Sequence, residues 1–235
     1  MHPMARKRMA RLVWPRFSSS MEALNWNAQM FATLAAYGKG PVEKCSTRKQ
    51  MYGAINARLG NATITYLEFG VWKGESLTYW TEINNNPGSR FYGFDSFEGL
   101  PEVWDHGFGH ATTTEHFNLN GDAPKIADQR ITLIKGWFQH TLRGFLCNTQ
   151  LLHPLVVHID CDLHSSALYT LSTLDPLLTS GDIVIFDEYT SPVNEHLAWE
   201  EYKRAFMRAA DCVAMGNRWC QTAFQMKDAS GGAVG

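Results

Sequence analysis

Two short stretches constrain this chain more than any other. Leu155–Ile159 reads LVVHI, apolar except for His158, and Asp182–Phe186 reads DIVIF. A strand that is apolar at successive positions has no face to give to water. Such strands occur inside parallel sheets that are covered on both sides by helices. Each of the two runs sits beside a stretch with helical periodicity, so the chain is expected to be an α/β protein.

The remaining segments fit the same plan. Thr63–Phe69 (TITYLEF) and Arg90–Phe94 (RFYGF) are rich in β-branched and aromatic residues, and Ile131–Lys135 is a third strand of this kind. Helical patterns fill 75–83, 137–146, 166–178 and 195–210. Residues 212–215 and 222–226 close the sheet as an antiparallel pair around Gly216-Asn217. The expected fold is therefore a Rossmann-like, doubly wound, mostly parallel seven-stranded sheet with helices on both faces. Residues 1–60 form a basic leader and a helical N-terminal extension, with apolar positions at Ala23, Leu24, Trp26, Met30, Phe31, Leu34 and Ala35. Residues 61–235 form the main domain. The stretch 101–128 has no clear period and is long for a connection, which marks a lid.

Ligands of such sheets bind beyond the carboxyl ends of the strands. The first strand ends in Glu68, Gly70, Val71, Gly74 and Ser76, a glycine turn without the GxGxxG spacing of pyrophosphate binders. It suits a smaller cofactor, and Glu68 suits a cationic one; a plain strand-to-helix turn is the alternative. The second strand ends in Asp95, Ser96 and Phe97. An acid there either accepts both hydroxyls of a ribose or caps a helix. Gly136, Trp137 and Phe138 follow the third strand, where the aromatic pair flanks an adenine or packs in the core. Asp160 and Asp162 follow the fourth strand, and Asp187 and Glu188 the fifth. Four carboxylates at one rim are costly without a cation among them, and oxygen-rich sites suit Mg²⁺, Mn²⁺ or Ca²⁺.

The runs LEFGVWKGES, FYGFDSFEGLPE, KGWFQHTL, HIDCDLHSS and GDIVIFDEY, in that order across about 60–190, resemble the macrocin O-methyltransferase family. Its members are class I S-adenosylmethionine-dependent enzymes that methylate sugar hydroxyls. The resemblance implies that Glu68, Gly70, Gly74 and Ser76 cradle the methionine end of S-adenosylmethionine, with Val71 in the same turn. It implies that Asp95, Ser96 and Phe97 serve the ribose, and that Gly136, Trp137 and Phe138 border the adenine. Asp160 would face the reaction centre, and Asp160, Asp187 and Glu188 would hold Mg²⁺. The sequence departs from the family at Glu188, where an Asp is usual, at His164, where a Tyr is usual, and at Cys161.

A sugar hydroxyl attacks a sulfonium methyl only once its proton has a destination. A vicinal diol chelated to a divalent cation has a lowered pKa, and Asp160 either ligates that ion or takes the proton. Without a metal, His158 and His164 are rival bases: His158 lies on the same side as Asp160 but reads first as a buried structural histidine, and His164, beyond the strand end, is the better rival. In the lid, His106, His110 and His116 stand beside Asp105, and Trp104 and Phe108 are placed to stack on a sugar.

Composition excludes other classes. The formal net charge is -2, so the whole chain is no electrostatic nucleic-acid binder. No apolar run reaches the ~18 residues of a membrane span. Five cysteines with no CxxC suit a reducing, cytoplasmic setting. The partner expected is a small-molecule or glycan acceptor with a hydroxyl or vicinal diol, and a homo-oligomer is compatible with the apolar extension. A nicotinamide-dependent oxidoreductase and a non-catalytic binder of S-adenosylmethionine or a nucleotide are the competing readings. The missing GxGxxG counts against the first, the four carboxylates against the second.

Overall fold

The computed structural model describes residues 21, 24–26, 28, 29, 41–107 and 109–228. The basic leader, most of the apolar positions before Gly40, Phe108 and the Gly231-Gly232 tail lie outside the described residues. The strands are β1 (Glu43–Lys44), β2 (Thr65–Phe69), β3 (Arg90–Asp95), β4 (Trp104–Gly107), β5 (His110–Thr112), β6 (Ile131–Lys135), β7 (Leu155–Ile159), β8 (Ile183–Phe186), β9 (Ala210–Gly216) and β10 (Gln221–Met226). The helices are α1 (Arg48–Arg58), α2 (Glu75–Ile83), α3 (Phe138–Asn148), α4 (His164–Leu174) and α5 (Glu195–Ala205).

The central sheet has the order β1-β9-β10-β8-β7-β2-β3-β6. All pairings are parallel except those of β10, which runs against both β8 and β9. This is the expected doubly wound sheet with one addition: eight strands instead of seven. The eighth, β1, comes from the segment expected to be purely helical. It is two residues long and pairs with the edge strand β9.

Period-two alternation sorts the side chains. Leu67 and Phe69 of β2, with Leu155, Val157 and Ile159 of β7, join α4 and α5 residues such as Leu171 and Trp199 in one core. Tyr66 of β2 and Val156 of β7 face the other way, into a second core with Met51, Tyr52 and Ile55 of α1 and Leu77 and Trp80 of α2. Thr47 starts α1 by accepting a hydrogen bond from Gln50 N, and the buried face of the helix packs on the sheet. Phe69 lies face to face with Phe94, centroids 4.8 Å apart, so Phe69→Ala would cost about 3–5 kcal/mol.

Three boundaries shift. The helix expected over 166–178 starts at His164 and tightens to a 3₁₀ turn at Asp175–Leu177, where Pro176 cannot extend an α-helix. The helix expected to reach 210 ends at Ala205, because Ala210 already pairs with Met226. The lid contains the hairpin β4–β5, a local pairing that periodicity does not reveal. Among the described residues no helix is long and apolar enough to cross a membrane.

Candidate active site

The strand order reverses at β2, with β3 and β6 on one side and β7 and β8 on the other. The loops after β3 and β7 run to opposite sides there and leave a crevice. At its base, Gly70 lets the ends of β2 and β7 lie in close contact. Its φ is +96°, and a Cβ on it would lie 1.8 Å from the Asp160 carbonyl oxygen. Only glycine lets the two strand ends approach this closely.

The crevice is lined by Gly70, Val71, Ser76, Asp95, Ser96, Trp137, Phe138, Asp160, Asp187 and Glu188, all singled out from the sequence. Asp95 is well fixed. Its Oδ2 accepts from Val71 N and Trp72 N, both at 2.8 Å, and its Oδ1 accepts from Phe97 N at 2.7 Å. Oδ1 keeps a lone pair for a ligand. Trp137 and Phe138 stand at the start of α3, and Phe138 packs edge-on against Phe69.

Other expected site residues do not reach the crevice. Glu68 is fully buried beneath it: Oε1 accepts from Ser76 Oγ and Oε2 from Tyr66 Oη, each at 2.7 Å. It braces the glycine turn from below. Phe97 is a core residue, and Gly74 packs against Ile126. Gly136 is likewise outside the lining and, at φ +134°, turns the chain into α3. His164 is corrected as a base. Its Nε2 lies 2.8 Å from Glu201 Oε2 of α5, and His164 is not among the residues that line the crevice. The lid histidines do not assemble: His106 lies tilted against Trp104 and His116 edge-on to Phe117, and no metal-like group includes them among the described residues.

The acid rim is more specific than the sequence showed. His158, Asp160 and Asp187 present ligand atoms within 4.8 Å of one another, and Glu188 is not in that group. Glu188 instead receives the Cys220 thiol at 3.5 Å. The group thus differs from the resemblance-based trio at one member: His158 stands in it and Glu188, which lines the crevice, does not. Asp187 is held by Gln221, whose Nε2 donates to Oδ2 at 3.2 Å, while Oδ1 is buried without a hydrogen bond. This unfilled oxygen, beside Asp160, fits a cation.

Charges crowd here with different effects. Burial, then the charge of Asp187, pushes Asp160 well above the usual carboxylate range. Burial and the charges of Glu188 and Asp187 push Asp162 up to about 8. Burial opposes ionisation of Asp187 too, but His158 and Arg48 outweigh it and hold its carboxyl low. Burial likewise opposes the charge on His158, and Asp187 and Glu68, 3.8 and 3.6 Å away, overcome it and raise the ring to about 10.

Two residues that sequence reasoning missed shape this rim. Arg48, on α1, enters the crevice and lies 3.8 Å from both Asp187 and Glu75. Glu195, at the start of α5, is completely buried. Its Oε1 accepts from Cys161 N (3.1 Å) and Asp162 N (3.2 Å), and its Oε2 from Glu188 N (3.0 Å). One carboxylate thus ties the loop after β7 to the loop after β8. An acid opening a helical pattern was its signal, but that signal ordinarily reads as a solvent-facing first-turn residue.

With this geometry in place, the comparisons are decisive for the family. The family model described as Macrocin-O-methyltransferase (TylF) matches residues 60–216. The chain belongs to the macrocin O-methyltransferase family. A relative from Streptomyces olivaceus, 8-demethyl-8-(2,3-dimethoxy-alpha-L-rhamnosyl)-tetracenomycin-C 4'-O-methyltransferase, is 30% identical over 139 residues, 52% of each chain. Demethyldecarbamoylnovobiocin O-methyltransferase of Streptomyces niveus is 26% identical over 175 residues, 66% of this chain and 65% of that one. The chain thus aligns with about half to two thirds of these curated relatives. The crystal structure of CalS11, a calicheamicin methyltransferase, superposes with a TM-score of 0.61 at 22% identity, covering 75% of this chain and 77% of that one. The fold of this family member is therefore that of the methyltransferases.

Proposed function

We propose that this family member transfers a methyl group from S-adenosylmethionine to a hydroxyl of a sugar-containing small molecule. The observation that carries the reading is the switch-point crevice, whose lining brings the Asp95 carboxylate and the Gly70 turn together with Asp160 and Asp187. S-adenosylmethionine supplies a sulfonium methyl for in-line displacement. Asp95 Oδ1, still open on one side, is placed to accept from a ribose hydroxyl, and Trp137 and Phe138 offer apolar faces to an adenine. Gly70 and Val71 bring backbone close to the methionine end, and Ser76 and Glu68 hold that turn.

The acceptor enters from the lid side, where Leu100, Pro101, Trp104 and Phe117 line the crevice. An apolar wall with a few polar groups suits a glycoside, the acceptor class named for the rhamnosyl-tetracenomycin relative. Asp160 and Asp187 would hold a divalent cation such as Mg²⁺, which acidifies and orients a bound diol. In its ionised form Asp160 would alternatively take the hydroxyl proton.

The test is calorimetric titration of S-adenosylhomocysteine into the whole chain, followed by transfer of a labelled methyl group to a panel of rhamnosides. Asp95→Ala should weaken the cofactor product by about tenfold, the scale of one hydrogen bond to a charged group. Absence of S-adenosylhomocysteine binding would sink the reading.

A further inference from the structure

The buried polar chain beneath the crevice fixes the protonation pattern of one residue. Tyr66 Oη lies 2.7 Å from Glu68 Oε2 and 2.8 Å from His158 Nδ1. A phenol has a single proton. Ser76 Oγ occupies Glu68 Oε1 as the donor, and Tyr66 gives its proton to Oε2. Tyr66 Oη must then accept from His158, so Nδ1 carries a hydrogen. The ring is thereby oriented with Nε2 toward Asp187 Oδ1, 3.8 Å away, and Asp160. A histidine that donates through one nitrogen to a carboxylate-backed partner and turns the other toward two acids has the arrangement of a metal ligand.

Nε2 has a long hydrogen bond to Tyr52 Oη, 3.3 Å, which a bound ion would displace. Asp187 Oδ2 is taken by Gln221, whereas Oδ1 is buried and has no hydrogen bond. Arg48 approaches that oxygen only to 3.8 Å, and its side chain is more than one-third exposed, so it can withdraw to water. Asp187 itself is 7% exposed, and one of its oxygens lies within 4.8 Å of a ligand atom of His158 and of one of Asp160.

We propose that His158 Nε2 is the nitrogen ligand of a divalent-cation site shared with Asp160 and Asp187. The proposal rests on the methyltransferase reading of the crevice and deepens it by naming a ligand and a class of ion. One imidazole with two carboxylates favours Mn²⁺, Co²⁺ or Zn²⁺ over Mg²⁺, because imidazole suits the borderline metals and Mg²⁺ prefers oxygen alone. The ion occupies Nε2 in place of any proton there, and that proton leaves to solvent. Glu188, whose side chain engages Cys220, is a neighbour of the site and not a ligand.

The test uses the whole chain, stripped with EDTA and titrated with Mn²⁺ under electron paramagnetic resonance. Pulsed measurements read ¹⁴N coupling to the bound ion. One Mn²⁺ with histidine ¹⁴N coupling is expected, with Mg²⁺ displacing it only at tenfold excess or more. His158→Gln should abolish the coupling and weaken Mn²⁺ at least tenfold. Should that variant fail to fold, Asp160→Asn provides the check: the nitrogen-coupled signal must fall with it, since both residues serve one ion. Bound Mn²⁺ without ¹⁴N coupling, or coupling that survives either substitution in a folded protein, overturns the proposal. S-adenosylhomocysteine is titrated calorimetrically in parallel. Its binding in a protein that takes up no Mn²⁺ overturns the metal site and leaves the methyltransferase reading standing. Failure of both overturns both.

Discussion

Removing the carboxylate of Glu195 tests whether the acid rim is held together by one buried side chain. The structure sets the scale. Glu195 accepts three backbone hydrogen bonds, from Cys161, Asp162 and Glu188, at 3.0 to 3.2 Å, and is fully buried. Glu195→Ala leaves three inward N–H groups without that acceptor. Each orphaned buried group costs about 1–3 kcal/mol, so the loss should be at least ~3 kcal/mol even with some water entering. For a domain of this size ~1 kcal/mol moves the midpoint by about 2–4 °C, and the melting temperature should fall by ~6 °C or more. Glu195→Gln is the sharper probe. Its carbonyl oxygen can keep Cys161 and Asp162, but its NH₂ then faces the N–H of Glu188, donor against donor. That variant should lose about 1–3 kcal/mol and free the Asp187-Glu188 loop while the Asp160 loop stays in place. Differential scanning calorimetry with S-adenosylhomocysteine titration separates the effects. Cofactor affinity should change less than threefold, since Glu195 touches no crevice-facing cofactor residue, whereas methyl transfer should drop. Two variants melting within a degree of the parent would refute the claim that Glu195 clamps the two loops.

Gly70→Ala should be more damaging than its single added carbon suggests: the Cβ would meet the Asp160 carbonyl at 1.8 Å and sit at φ +96°. The left-handed backbone alone costs ~1–2 kcal/mol, so unaltered melting and S-adenosylhomocysteine affinity would contradict the strand-end geometry. His164→Ala should change kcat less than threefold, because its imidazole is engaged with Glu201 outside the crevice; a loss of a hundredfold would restore it as a base. Stability of the metal-free protein should fall as pH rises from 6 to 9. Asp162, at about 8 when folded, keeps a proton that the unfolded chain loses near 4, and His158, at about 10, keeps one that the unfolded chain loses near 6.5. In each case the folded state binds more protons over part of that range, so stability declines by up to ~1.4 kcal/mol per pH unit for each independent group. Melting temperatures that rise from pH 6 to 9 would show that these groups are not held as the structure places them.

What the sequence made legible follows from the range of the interactions involved. Strand identity is local: alternation placed Leu67 and Phe69 on one face, and the uninterrupted apolar run of β7 announced a strand covered on both. The glycine turn at Gly70 and the acids at Asp95, Asp160 and Asp187 were also legible, because a parallel strand delivers its last residues to one known rim. Illegible were the contacts whose partners lie far apart in the chain. Glu195 reaches a loop 34 residues upstream, and Arg48 enters from a helix that precedes the first motif. His158 shows the limit most clearly. Period two already put it beside Asp160, yet a buried histidine on an apolar strand is chemically ambiguous. Its role depends on which nitrogen bears the hydrogen, and that is decided on the neighbouring strand. The register Glu68 opposite His158 brings Tyr66 between them. The two hydrogen bonds to Tyr66 then leave one arrangement of protons. Register is a tertiary property, set by how the hydrophobic faces of β2 and β7 meet the same two cores. The nitrogen turned toward Asp187 is therefore specified by the packing of the whole sheet, although every residue involved carries a local motif of its own.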